Sequence, residues 1–241
     1  KDSTSILNNQ ITAICEDNNG NIWGTTEDGI FCYQKSIGIF RNYRSPNKTI
    51  YPRLKYIAFD RKGFIWAGSD YGLVKLDMSS GQFHYFTHDS KNICSLSSDQ
   101  IGGITLDPSG RGLWVGTSTG LNYFDFNNKD FTNFQNTTDT SIFNNHHISA
   151  VHSGKNGVIW MFDNFKKEII GIESQKHKIK HRIDLRSRLN DPYLGNIFET
   201  SEGVLWYSSL SYEIIKIDLL NNYQADIVKN SISDPSSIKS D

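Results

Sequence analysis

Residues 101–121 read IGGITLDPSGRGLWVGTSTGL, and the pattern recurs along the chain. Its Trp114 has counterparts at Trp23, Trp66, Trp160 and Trp206, and these five are all the tryptophans present. A glycine sits just upstream each time, at Gly20, Gly63, Gly110, Gly157 and Gly203. An aliphatic residue adjoins every Trp: Ile22, Ile65, Leu113, Ile159 and Leu205. Farther upstream lie two aliphatics three apart: Ile11 and Ile14, Leu54 and Ile57, Ile101 and Ile104, Ile148 and Val151, Leu194 and Ile197. After the Trp, the first three repeats continue WGTTEDGI, WAGSDYGL and WVGTSTGL. A further extended segment follows, such as Leu73-Val74-Lys75-Leu76, and then a last one, such as Phe83-His84-Tyr85-Phe86.

Each repeat therefore holds four short extended segments parted by turn residues, and no stretch sustains a helical period. The Trp spacings run from 43 to 48 residues. Four strands at such a period mark the blade of a β-propeller. The expected fold is all-β, with five four-stranded antiparallel blades at about 9–50, 51–97, 98–145, 146–191 and 192–234. Strands a to d run outward from a central channel, the paired aliphatics on strand a and the Trp on strand b. The turn before strand b uses Asp with Gly, as in Asp17-Asn18-Asn19-Gly20, because Asp bonds its own turn and Gly takes positive φ. Asp17 to Asn21 has the look of a calcium loop but lacks the closing Glu, so turn chemistry is the better account. The five rings are expected to join each blade to the next, since one buried Trp hides roughly 150–250 Å².

The composition excludes several classes. With 25 basic and 26 acidic residues, no basic excess exists to attract nucleic acid or anionic lipid. Aromatics at 12% are too many for a disordered chain. Apolar runs are far shorter than the roughly 20 residues a spanning helix needs. Three cysteines, Cys15, Cys32 and Cys94, without a CxxC suggest neither a disulfide framework nor a zinc site. Cys15 on strand a and Cys32 on strand c should lie roughly 9–10 Å apart, beyond the ~7 Å reach of a disulfide.

The pattern I-x-x-I-x-x-D-x-x-G-x-I-W-x-G-T-x-x-G-L resembles the two-component regulator propeller repeat. Repeats one to three carry it well, and repeats four and five mainly through GVIW and GVLW. The resemblance implies the periplasmic sensing region of a hybrid two-component histidine kinase and response regulator, part of an inner-membrane protein. Such regions commonly detect oligosaccharides. The kinase lies outside this segment, so the segment itself is expected not to be an enzyme and to need no cofactor. The resemblance also points to seven-bladed parents. Five blades then form an open arc rather than a small ring, with the faces around Trp23 and Trp206 uncovered. Partners implied are an oligosaccharide or other small ligand, the remaining blades of the parent, and a second copy in a homodimer.

The chain shows no GxSxG, HExxH or P-loop. His146 and His147 are adjacent on an extended segment, so they point opposite ways and do not chelate one metal together. Repeats four and five replace the b–c turn glycine by Lys166 and Tyr212, placing Phe162, Phe165 and Tyr212 near a rim. In a propeller the d–a loops and b–c turns share the channel mouth. That face is expected to carry the ligand contacts Arg53, Gln100, His146, His147 and Tyr193 from d–a loops. Tyr71, Phe165 and Tyr212 join them from b–c turns, beside Asp28. Aromatics with Arg and His suit a sugar, whose apolar face packs on rings while its hydroxyls take polar groups. Two other classes stay open. One is a protein-interaction scaffold; the other is a lyase of the streptogramin type, which GVLWYSSLSYEIIKID resembles.

Overall fold

The computed structural model describes residues 5–45, 53–134, 146–187, 195–208 and 214–228. They form five four-stranded antiparallel sheets, each with its strands in chain order. The first comprises β1 (Ile11–Glu16), β2 (Ile22–Thr26), β3 (Gly29–Gln34) and β4 (Ile39–Tyr43). The second comprises β5 (Tyr56–Phe59), β6 (Phe64–Ser69), β7 (Gly72–Asp77) and β8 (Phe83–Phe86). The third comprises β9 (Ile101–Leu106), β10 (Gly112–Thr117), β11 (Gly120–Asp125) and β12 (Phe131–Asn133). The fourth comprises β13 (Ile148–Ser153), β14 (Val158–Asp163), β15 (Glu168–Glu173) and β16 (Lys178–Asp184). The fifth comprises β17 (Asn196–Glu199), β18 (Val204–Ser208), β19 (Ile214–Asp218) and β20 (Gln224–Val228). Among the described residues the one helical element is a 3-10 turn, Lys155–Gly157. The fold is a β-propeller array, as the Trp register requires.

The alternation of side chains along each strand makes every sheet two-faced. Trp66 points forward to the third sheet and packs with Leu113, Val115 and Phe124. Its neighbour Ile65 points back and packs with Trp23, Leu54 and Val74. The same division joins the third sheet to the fourth through Trp114 and Ile159, and the fourth to the fifth through Trp160 and Leu205. At about 25 cal/mol per Å², burying one such ring is worth roughly 4–6 kcal/mol before conformational entropy is charged. An outer-strand ring stacks on each of the first three: Tyr43 on Trp23, Phe86 on Trp66 and Phe134 on Trp114.

A polar bond fixes each buried ring. Asp17, Asp60 and Asp107 accept the indole N–H of Trp23, Trp66 and Trp114 at 2.9, 3.3 and 2.8 Å. Asp17 spends its other oxygen on the Asn19 and Asn21 amides. Burial opposes its ionisation, but bonds from Trp23 and Asn21 more than offset this and hold its pKa below the ordinary value. The fourth sheet has Gly154 at this station, and Glu199 of the fifth reaches across to Trp160 instead, at 2.9 Å.

Two expectations need correction. The face around Trp23, expected to stand uncovered, is buried against the second sheet, while Trp206, with no described sheet beyond it, is half-buried. Lys166 does not stand in for the turn glycine of repeat four. The register sets Asp163 opposite Glu168, where Thr26 opposes Gly29, so the turn is longer by two residues. Lys167 supplies the positive φ there, at +54°. Tyr212 lies outside the described residues. For the cysteines, Cys15 and Cys32 both oppose Trp23, one on either side, so two strand spacings separate them.

Candidate functional site

The inner strands β1, β5, β9, β13 and β17 are neighbours in that order. Together they line one cavity of about 550 Å³, with Ile57, Ile104, Val151 and Ile197 on its wall and Lys55, Tyr56 and Asn196 as polar groups. The inner strands come close together where side chains vanish. A Cβ on Gly102 would lie 2.0 Å from the Ile148 carbonyl oxygen of the next inner strand.

One end of this cavity is rimmed by the b–c turns and the segments leading into each inner strand, which bond to one another. The Gly72 amide donates to the Asp99 carbonyl, Ser118 to Gln100, and Asn164 to His147, at 2.9, 3.0 and 2.8 Å. In the first three turns a hydroxyl at the end of the second strand spans the turn: Thr26, Ser69 and Thr117 each donate to the glycine carbonyl three residues on. Gly72 has φ +120°, and a Cβ there would lie 2.5 Å from the Phe86 carbonyl oxygen, so only glycine fits.

This rim gathers the proposed contacts into two groups. At the second and third sheets, Tyr71 is 47% exposed on its turn. The Lys55 ammonium pairs with Asp70 beside it at 2.6 Å, and Gln100 is exposed on the segment bonded to that turn. Burial, aided by Asp70, pushes the Tyr56 phenol up to about 12, so it stays a neutral donor at the cavity wall. At the fourth sheet, Phe165 is 69% exposed and meets the His147 ring edge-on at 5.7 Å. Asn164 stands between them, its amide oxygen accepting from Ser149 at 2.7 Å. Arg53 is exposed with φ +77°.

His146 lies beneath the rim. It is 5% exposed, and its Nδ1 lies 2.6 Å from Asp163 Oδ2, itself fully buried. Burial lowers the His146 pKa against the pull of that carboxylate. Asp163 replaces the turn hydroxyl of the first three sheets and accepts from the Phe165 amide, so this pair braces the longer turn from beneath. Tyr193 and Tyr212 lie outside the described residues. Sequence reasoning did not single out Lys55, Tyr56, Asn164 or Asn196. Lys55 and Tyr56 sit within the Leu54–Ile57 aliphatic pair, where the strand alternation already marks one of them for the channel. Asn164 had no signal, since the turn length was misjudged. Among the described residues no three of His, Cys, Asp or Glu converge as a metal site would need.

The family model described as "Two component regulator propeller" matches residues 5–28. No curated protein matches the chain in sequence. Among solved structures, the chain resembles the extracellular domain of a B. thetaiotaomicron protein described as a hybrid two-component system, at 18% identity and TM-score 0.71. The match covers 91% of this chain and 30% of that one, so the chain spans less than a third of its length. It also resembles virginiamycin B lyase from Staphylococcus aureus, at 17% identity and TM-score 0.71, covering 92% of this chain and 70% of that one. A third likeness is the β-propeller domain of Cps50 (Swd1) from Myceliophteria thermophila, at 10% identity and TM-score 0.65, covering 93% and 72%. At such identities these structures speak for the fold alone. The repeat that the family model matches is the first of five, and the other four have the same four-stranded order.

Proposed function

We propose that this propeller is the extracytoplasmic ligand-sensing module of a two-component signalling protein, and that it takes an oligosaccharide at the rimmed mouth of its channel. The observation that carries the sensor reading is the match of the first repeat to the two-component regulator propeller. The likeness to an extracellular domain of a hybrid two-component system supports the placement outside the cytoplasm. Among the described residues no helix is long and apolar enough to cross a membrane.

The sugar reading rests on the mouth. Tyr71 and Phe165 are exposed rings on the turns of the second and fourth sheets. Gln100, His147, Asn164 and the Lys55–Asp70 pair set donors and acceptors among them. Rings pack on the apolar face of a pyranose, and fixed polar groups choose among its hydroxyls. The buried Trp are already occupied between sheets and take no part. Signalling then follows as a population shift, in which the ligand binds the kinase-on and kinase-off arrangements unequally.

The test uses the full-length sensor with a reporter. Tyr71→Ala with Phe165→Ala should move the half-maximal ligand dose up by roughly tenfold, the weight of about 1.4 kcal/mol of lost contact. The far-UV spectrum of the purified propeller should not change. An unchanged dose-response curve removes this mouth as the site.

A further inference from the structure

We propose that the cleft between the outer parts of the second and third sheets binds a small aromatic carboxylate, with Lys75 holding the carboxylate and Phe64, Phe86 and Phe126 receiving the ring. This goes beyond the sensor reading and does not depend on it. The turns at 60–63 and 126–130 that border the cleft lie at the opposite end of their sheets from the b–c turns, so it is a different place from the channel mouth.

The cleft holds about 510 Å³, within the range of small-molecule sites. Both of its walls are complete four-stranded sheets. The register of β6, β7 and β8 puts Phe64, Lys75, His84 and Phe86 on the face that Trp66 turns to the third sheet. The third sheet contributes Phe124 and, just past the end of β11, Phe126 and Lys129. Trp66 is fully buried beneath and stacks on Phe86 and on Phe126, at 5.6 and 5.7 Å. Phe64, Phe86 and Phe126 are half-buried and line the cleft.

Three ammonium groups gather here without an anion. The Lys75 nitrogen lies 3.6 Å from the centre of the Phe64 ring and 5.4 Å from that of Trp66. Lys62 stands over Phe126 at 5.1 Å, and Lys129 borders the cleft. Among the described residues, none of the three ammonium groups forms a salt bridge, and that of Lys75 meets rings alone. The two carboxylates at hand are engaged elsewhere. Asp60 accepts from the Trp66 indole and from the Lys62 and Phe64 amides. Asp77 accepts from Ser79 and Ser80 in its own turn. Burial lowers the Lys75 pKa, with the Lys129 charge adding to it, and the attraction of Asp60 and Asp77 does not offset this.

The packing of the sheets does not call for a lysine at this station. The residue opposite the Trp on the third strand is Cys32 in the first sheet, Tyr123 in the third and Gly171 in the fourth. Lys216 takes the station in the fifth sheet, with Asp226 opposite it, whereas Lys75 has His84 opposite. No acidic residue faces Lys75 across the strand, so its charge is left for a bound anion. A ring face attracts an ammonium group but gives its N–H donors no lone pair. A carboxylate supplies two oxygens for them in charge-assisted bonds, and an attached ring packs offset or edge-on against the phenylalanines. An inorganic anion leaves those rings wet, and a neutral ring leaves the ammonium groups unpaired.

Isothermal titration calorimetry of the whole chain with 2-naphthoate tests this. The Kd should be about 0.1 mM or tighter, ordinary for a ligand of that size. 2-Naphthol, which has the ring without the charge, and acetate, which has the charge without the ring, should each bind at least roughly tenfold more weakly. Lys75→Met keeps the stem that packs on Phe64 and should weaken 2-naphthoate at least roughly tenfold, with an unchanged circular dichroism spectrum. A second measurement needs no variant. Acetylation of the native protein by an N-hydroxysuccinimide ester, mapped by peptide mass, should slow roughly tenfold at Lys75 when 2-naphthoate is present at about ten times its Kd, and should not slow at the exposed Lys35 of the first sheet. If Lys75→Met disturbs the sheet, the acetylation decides. Absence of 2-naphthoate binding at millimolar concentration overturns the proposal. So does equal binding by a folded Lys75→Met, equal binding of 2-naphthol, or acetylation of Lys75 that 2-naphthoate does not slow.

Discussion

Replacing Glu199 by Ala should destabilise the protein by about 2–4 kcal/mol, and placing Asp at residue 154 in the same chain should not restore the loss. Glu199 Oε2 accepts from the Trp160 indole and from the Lys155 amide, both at 2.9 Å. Trp160 is buried between sheets, so the indole N–H cannot turn to water when the carboxylate is removed. A bond to a charged acceptor at such a site is worth roughly 1.5–3 kcal/mol, and the more exposed amide adds about 0.5–1. Gly154 has φ −85° and ψ −172°, a backbone that Asp adopts without strain. Yet a Cβ there would sit 2.3 Å from Glu199 Oε2 and 2.5 Å from the Trp160 ring, so Gly154→Asp should cost about 2 kcal/mol or more through these clashes and the paired negative charges. Because the clash with the Trp160 ring remains when Glu199 is removed, the double variant should be no more stable than Glu199→Ala alone. Urea unfolding followed by Trp fluorescence reads this as midpoints at constant slope. A Glu199→Ala shift under about 0.5 kcal/mol, or a double variant restored to the parent's stability, would refute the cross-sheet account.

Further outcomes follow from the same packing. Burial lowers the pKa of His146, His147, His152, His177 and His181. The unfolded chain, with His near 6.5, therefore binds more protons below that pH, and stability should fall as pH drops from about 6.5 toward 5; a thermal midpoint flat across that range contradicts it. Trp114→Ala should cost about 3–5 kcal/mol, while Trp206→Ala, at the half-buried station, should cost less than half as much by chemical denaturation. Gly102→Ala should destabilise by about 2 kcal/mol or more, since its Cβ has no room at the meeting of two inner strands. Cys94 is exposed, whereas burial pushes the Cys15 and Cys32 thiols up to about 12 and 11. Iodoacetamide should therefore label Cys94 first in the native protein, as peptide mass mapping would show.

The sheets were legible because one signal, Trp at a period in the forties with an aliphatic partner, reports both strand and face. Strand order and the joining of sheets through the rings follow from it, whereas the longer turn of the fourth sheet does not. The carboxylate bond to the indole was legible in principle, since Asp17, Asp60 and Asp107 keep step with Trp23, Trp66 and Trp114. It was read only as turn chemistry because the turn accounts for Asp by itself. The exchange of that role from residue 154 to Glu199 could not be seen, because the two stand 45 residues apart and meet only when sheets stack. The mouth was legible as a location, because loop ends are set by the strand order. Its individual groups were not. His146 reads like a rim residue and is a buried brace, since nothing local shows that Asp163 has replaced a turn hydroxyl beneath it.

A glycan array probed with the propeller itself, beside its Tyr71→Ala, Phe165→Ala variant, tests the sensor reading most directly. The account predicts that the unaltered protein binds a defined class of oligosaccharide, and that the variant binds the same class at least roughly tenfold more weakly while keeping its fold. Binding of no glycan at all, or equal binding by both proteins, would contradict it.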